Sequence, residues 1–196
     1  MLSNRANNFL STLKRVPGLS ASEVEKIIKS QGYPCFDAWL DFQDRFAGYV
    51  EEFGGEAAVW GLVHEEPYWL PKKKAEIESE PDGKTWYISC ADAHPSYSYQ
   101  LENNGEFLGT PSESFDIYVE RKSVAWHFNS NCEAELIKKP ELSDPSFQKV
   151  FDLEIKKDLV PEASDKFSKY YMNDFYFLIE DCKSGKFRRA YRAKRS

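Results

Sequence analysis

Histidine is scarce in this chain, with three in 196 residues, and cysteine is little commoner at four. His64, His94 and His127 lie far apart, and no zinc-finger or zinc-ribbon spacing joins them to the cysteines. Cys35, Cys90, Cys132 and Cys182 stand roughly 40 to 55 residues apart without a C-x-x-C pair, which removes a thioredoxin-type redox motif. No metal and no cofactor is therefore expected. A glycine-rich phosphate loop is missing as well. Gly54-Gly55 has neither G-x-G-x-x-G nor Walker spacing and reads as a helix stop. Long apolar runs are absent. The stretch Ala57 to Val63 is far shorter than the ~20 residues needed to cross a bilayer. Near the N-terminus, Arg5, Asn7, Asn8, Ser11 and Lys14 leave no continuous apolar segment of the signal-peptide kind. The expected setting is the cytoplasm, away from membranes, with reduced and mostly buried thiols. There is no internal repeat and no low-complexity segment.

What is present is aromatic and charged. Hydrophobic residues make up 41% of the chain and aromatic ones 15%. Each buried ring removes roughly 150–250 Å² from water, so a packed core is within reach and global disorder is not expected. The net charge is −6, unevenly spread. From Asp37 to Glu66 there are eight acids against one base, Arg45, a local sum of −7. From Lys183 to Ser196 there are seven bases and no acid. A solvated helix face accounts for much of such a pattern. The density of the acidic window also suits a basic partner.

The first third reads as helical. Phe9, Leu10 and Leu13 share a side, and Pro17-Gly18 stops that element. Ser22 and Glu25 form a capping-box pattern ahead of Val24, Ile27 and Ile28, with Gly32 as the stop. Phe36, Trp39, Leu40, Phe46, Val50 and Phe53 keep a helical stripe over residues 36–53, ended by Gly54-Gly55. The period then changes. Trp86, Tyr87 and Ile88 mark a strand over 85–91, and Tyr97, Tyr99 and Leu101 another. Asn104-Gly105 is a hairpin turn, because both residues tolerate positive φ, and Phe107-Leu108 begins the return. Thr110-Pro-Ser-Glu113 has the form of a helix start before Phe115, Tyr118, Val119, Lys122 and Trp126. Period-two alternation of Phe115, Ile117 and Val119 fits a strand there too. Phe147, Val150, Phe151 and Ile155 suit a helix over 146–157. A second hairpin follows, from Asp174 to Asp181, turning at Ser184-Gly185, and from Phe187 to Tyr191. The order implies an α+β fold: N-terminal helices packed on an antiparallel sheet, with a C-terminal helix and β-hairpin extension.

Chemistry is hard to find. Cys90-Ala-Asp92-Ala-His94 gathers a thiol, a carboxylate and an imidazole within five residues, which a small Cys-dependent hydrolase could use. The plainer reading is a buried thiol at a strand end, followed by Asp92 opening a loop before Pro95. The basic C-terminal stretch, interleaved with Phe187 and Tyr191, could stack bases and contact phosphates. Against that stands the chain's acidity, so no nucleic acid is expected; the plainer reading is an edge strand whose charge discourages aberrant pairing. Trp60, Tyr68 and Trp69 fit either interface anchors or core.

From about Tyr33 to Phe128 the chain resembles the SUKH superfamily, best known as immunity proteins of bacterial toxin systems. The resemblance rests on the aromatic segment Phe36–Phe53 with Gly54-Gly55, on Trp60-Gly-Leu-Val63, and on Ile88-Ser-Cys-Ala-Asp92. It continues through Glu102-Asn-Asn-Gly-Glu-Phe-Leu108 and Ser114-Phe115. It implies one domain over residues 1–139 of this kind, extended by residues 140–196 packed on the same domain. It also implies a toxin-neutralising protein that binds a cognate toxin domain by direct contact and needs no catalysis of its own. An intracellular scaffold or regulatory module of the same fold is the alternative. For a cationic toxin cleft, the expected recognition surface is the acidic window. Asp37, Asp41 and Asp44 lie at i, i+4 and i+7 of one helix, and Glu51 returns near that stripe. Glu65, Glu66 and Trp69 are expected to approach it through the fold. The competing reading is that these acids only keep the helix soluble.

Overall fold

The computed structural model describes residues 1–53, 56–65, 73–92, 99–108 and 112–194, with backbone alone at 53, 56, 64, 65, 92 and 140. The fold is α+β, as expected. The chain divides into two compact units, Ser11–Phe115 and Met1–Leu10 with Asp116–Ser196. The division falls inside the helix Phe115–Asn131 and not at the expected 139/140 boundary.

In the Ser11–Phe115 unit the helix Ala21–Ser30 is opened by a capping box two residues earlier than expected, at Ser20 and Glu23. The Ser20 side chain accepts from the Glu23 amide, and the Ser20 amide donates to the Glu23 carboxylate at 2.9 Å. Gly32, at φ +84°, follows the helix. The next helix is shorter than its apolar stripe implies: it runs Asp37–Phe46, and Tyr49–Phe53 is a strand. Gly48 explains the break. Its φ is +87°, its amide donates to the Trp60 carbonyl at 2.8 Å, and a Cβ there would stand 2.1 Å from the Val16 carbonyl oxygen. The helical spacing of Val50 and Phe53 is a coincidence of pattern; pairing of Tyr49–Phe53 with Glu56–Trp60 overrides it. Gly54-Gly55, the expected helix stop, lies outside the described residues.

Two antiparallel sheets carry this unit. One has the order Lys14–Arg15, Tyr49–Phe53, Glu56–Trp60, Ala91–Asp92; the other is Ile77–Ser79, Trp86–Ser89, Gln100–Glu102. A short pair, His64–Glu65 with Lys73–Lys74, is separate. The core is aromatic. Trp39 and Phe46 are buried as expected, and the side chain of Phe53 is not described. Phe115 meets Phe42, Trp60 and Phe107 at 4.7, 4.9 and 5.2 Å between ring centres. The Trp39 indole donates to the Glu102 carbonyl at 3.1 Å. Gln43, also buried, donates to the Leu19 carbonyl and accepts from the Leu62 amide, so a polar side chain inside the core has its partners. The Asn104-Gly105 turn forms with Gly105 at φ +92°, and the return is a single bridge, Leu101 to Phe107. Thr110 and Pro111 of the expected cap lie outside the described residues, and Ser112 bridges Phe107 ahead of the helix. Its first residue is Phe115.

The other unit is layered around a four-stranded antiparallel sheet ordered Ala134–Leu136, Lys186–Ala193, Tyr176–Asp181, Ser168–Met172. Two of these strands form the expected second hairpin; the outer two have weaker sequence signals. On one face Tyr171, Leu178 and Ala190 pack with Phe147, Phe151 and Ile155. On the other, Tyr170 and Phe177 pack with Val124 and Phe128 of the Phe115–Asn131 helix. The helix Pro145–Val150 widens into a π turn, Phe151–Ile155, then a 3₁₀ turn, Lys156–Asp158. The N-terminal helix Asn4–Thr12 starts earlier than its apolar pattern suggests, and Phe9 lies 6.2 Å from Trp126.

Candidate functional site

The acidic stripe forms in part. Asp37, Asp41 and Asp44 all project into solvent from the Asp37–Phe46 helix, because Trp39, Phe42, Gln43 and Phe46 take its inner side. Asp41 is paired with Arg45 one turn on, at 2.9 Å, and the Arg45 guanidinium lies over the Phe46 ring. Asp37 leads into the helix N-terminus, where a carboxylate suits the helix dipole.

Glu51 does not join the stripe. It is on a strand, buried at 5% exposure, and its carboxylate accepts from the Tyr99 hydroxyl at 3.3 Å. Strand alternation is the reason. Tyr49 and Glu51 share a face with Ala58 and Trp60, whereas a helix would have returned Glu51 toward solvent. Glu65 pairs through its backbone with Lys73, and its side chain is not described. Glu66, Tyr68 and Trp69 lie outside the described residues, so their approach to the stripe does too.

A second acidic surface escaped the sequence reading. Glu78, Tyr87 and Glu102 form one row across the three-stranded sheet, opposite the side on which Ile88 and Leu101 are buried. The Tyr87 hydroxyl donates to Glu80 at 3.2 Å. Partial burial first, then Glu80, holds that hydroxyl above its ordinary pKa. The alternation Glu76-Ile-Glu-Ser-Glu80 was the available signal. Charge follows the division of the chain. The Ser11–Phe115 unit has 18 acids and 9 bases, net −9; the other has 14 acids and 17 bases, net +3, giving the −6 of the whole.

Cys90 sits in the core at 0% exposure, and burial pushes its thiol well above the ordinary range. A protonated, enclosed sulfur packs as a small apolar group and is a poor nucleophile. The Asp92 side chain is not described, and His94 is outside the described residues. Among the described residues, no three His, Cys, Asp or Glu side chains are grouped to hold a metal ion.

The basic C-terminal segment is placed differently from the expectation. Lys186–Ala193 is an interior strand, hydrogen-bonded on both sides, and not an edge. Two of its arginines, and the lysine that follows it, are paired with acids of neighbouring segments. Arg192 pairs with Glu135 at 3.1 Å and Glu141 at 2.6 Å, Arg188 pairs with Asp181, and Lys194 with Glu133. Paired guanidinium groups are less available to phosphates, and Arg192 in turn holds the Glu135 carboxyl below its usual range.

The site features are thus exposed carboxylates on an α+β scaffold. Comparison of the chain with protein-family models, with curated proteins and with solved structures gave no match. Among the described residues no helix is long and apolar enough to cross a membrane.

Proposed function

We propose that this protein is a binding protein that neutralises a cognate toxin domain in the cytoplasm by covering a cationic cleft. The observation that carries the reading is the exposed stripe Asp37, Asp41 and Asp44 on a unit with a net charge of −9. Carboxylates held on a rigid helix raise the local potential, which speeds encounter with a basic surface and sets its register. Nothing in this mechanism calls for a nucleophile, a metal or a cofactor from the chain itself. The enclosed Cys90 is consistent with that, because its sulfur is withheld from solvent.

The test is charge reversal, read against any toxin domain found encoded beside this chain. Asp41→Lys with Asp44→Lys should fold normally, since exposed substitutions shift stability by about 0.5 kcal/mol or less. Affinity for the toxin domain should fall at least tenfold, about 1.4 kcal/mol. The loss should be larger at low salt than at high salt. Unchanged binding at low ionic strength would move the interface off this helix. A neighbouring toxin that neither co-purifies nor is inhibited would remove the reading.

A further inference from the structure

Ile77–Ser79 is an edge strand of the three-stranded sheet, paired on one side with Trp86–Ser89. The bonds to that neighbour come from alternate residues. The Glu80 amide donates to the Thr85 carbonyl, and the Ser89 amide to the Glu76 carbonyl, each at 2.9 Å. The amides and carbonyls of Ile77 and Ser79 therefore point away from the sheet, and among the described residues they have no partner. Ala75, two residues earlier, differs. Its amide donates to the Gln31 side-chain oxygen at 3.0 Å, and its carbonyl accepts from the Gln31 side-chain nitrogen at 3.2 Å. Gln31 thus closes the edge at one end, and Pro81, which has no N–H to offer, ends it at the other. Between them Glu78 and Ser79 are exposed and Ile77 is half-buried, so the edge is open to solvent.

Side chains decide what can pair there. Glu76, Glu78 and Glu80 alternate along the strand on the face that carries Tyr87 and Glu102. Ile77 lies on the other face, in register with Ile88 and Leu101. The strand has no proline and its register is unbroken by a bulge, two common means of blocking an extra strand. Its protection is charge, and charge is selective. A second copy paired antiparallel through Ile77 and Ser79 would set Glu78 directly against Glu78. Such a closely spaced pair has its Cα atoms about 4.5 Å apart, and like charges there are destabilising. A strand with Lys or Arg at that place is attracted instead.

We infer that the Ile77–Ser79 edge accepts an extended basic segment of another protein as a fourth, antiparallel strand. Backbone hydrogen bonds to Ile77 and Ser79 hold the segment, and Glu76, Glu78 and Glu80 select it. The fitting segment alternates basic and apolar residues, the basic ones facing the glutamates and the apolar ones extending the Ile77 side. In strand addition of this kind the main-chain bonds give affinity and the alternate side chains give specificity. Four backbone bonds of ordinary net strength correspond to a dissociation constant on the order of 1 mM for a short peptide. The surface is separate from the Asp37, Asp41 and Asp44 stripe, and the inference does not depend on a toxin.

The test is an NMR titration of the isotope-labelled full chain with a capped Lys-Val-Lys-Val-Lys peptide, to about 5 mM. The Ile77 and Ser79 amide signals should shift most, and their hydrogen exchange should slow. The same peptide N-methylated at both valines should not bind, because its donors to the edge carbonyls are gone. A Glu-Val-Glu-Val-Glu peptide should not bind either. Glu78→Lys should weaken binding at least tenfold, as should Ser79→Pro, which removes an outward N–H and spares the sheet's own bonds. Both positions are exposed, and circular dichroism checks that each variant folds. Asp41→Lys with Asp44→Lys should bind the peptide as the parent does. With no toxin present, failure here leaves the toxin-neutralising reading where it stands. Absence of shifts at Ile77 and Ser79 overturns the inference. Equal binding of the N-methylated peptide does so too, and so does loss of binding in the Asp41 and Asp44 variant.

Discussion

Arg121 and Asp165 form an ion pair of 2.6 Å with side chains only 5% and 0% exposed. Arg121 also donates to the Ala163 carbonyl at 3.1 Å and lies over the Tyr170 ring, while Asp165 accepts the amides of Phe167 and Ser168. The pair ties the Phe115–Asn131 helix to the loop that leads into the sheet. Burying two charges is costly, and only such additional hydrogen bonds make it sustainable.

Removing one partner is therefore expected to be harsher than removing both. Asp165→Asn should destabilise the protein by about 3–5 kcal/mol, and Arg121→Met with Asp165→Leu by less. Urea unfolding of the three proteins decides it. A double variant weaker than the single one would show that the pair is not the organising contact.

Gly48→Ala should destabilise by at least about 1–3 kcal/mol from backbone strain at φ +87° alone. The contact of 2.1 Å with the Val16 carbonyl adds to that. Gly83→Ala, at φ +65° with open space around the Cβ, lacks that contact and is the control. Equal losses at the two positions would remove the steric part of the explanation.

Asp181 gives a pH dependence with a defined sign. Hydrogen bonds from the Ser184 amide, then Arg188 and the Ser184 hydroxyl, lower its carboxyl to about 2. An unfolded aspartate titrates near ~3.9, so the folded value is depressed. The stabilisation is present above pH ~4 and is lost as pH falls toward 2. NMR titration should place the Asp181 midpoint near 2, and Arg188→Ala should raise it. A midpoint of ordinary value in the intact protein would contradict the geometry.

Thiol labelling separates the two readings of Cys90. With its sulfur buried and its pKa well raised, it should react with a disulfide reagent only when the protein unfolds, after the partly exposed Cys35, Cys132 and Cys182. Cys90→Ala should preserve biological effect while costing some packing. Rapid labelling of Cys90 in the folded state, or loss of effect in a folded Cys90→Ala protein, would revive a nucleophilic role.

What the chain determines by itself is local. Asn104-Gly105 and Ser184-Gly185 turn where they do because those residues accept the required backbone angles. Trp39 and Phe46 fall on the inner side of their helix because the 3.6-residue period puts them there. The exposed positions of Asp37, Asp41 and Asp44 follow from the same period. Tertiary structure decided the rest. Residues 47–53 are compatible with helix on pattern, and per-residue propensities differ by less than ~1 kcal/mol. The close passage of Gly48 by Val16 and the pairing with Glu56–Trp60 outweigh that, and they turn Glu51 inward. The basic segment became an interior strand because Ala134–Leu136, more than 50 residues away in sequence, lies alongside it and brings Glu133 and Glu135 against its charges. Hydrogen bonds and ion pairs of that range depend on where the chain returns to itself, and no local window of the sequence contains that information.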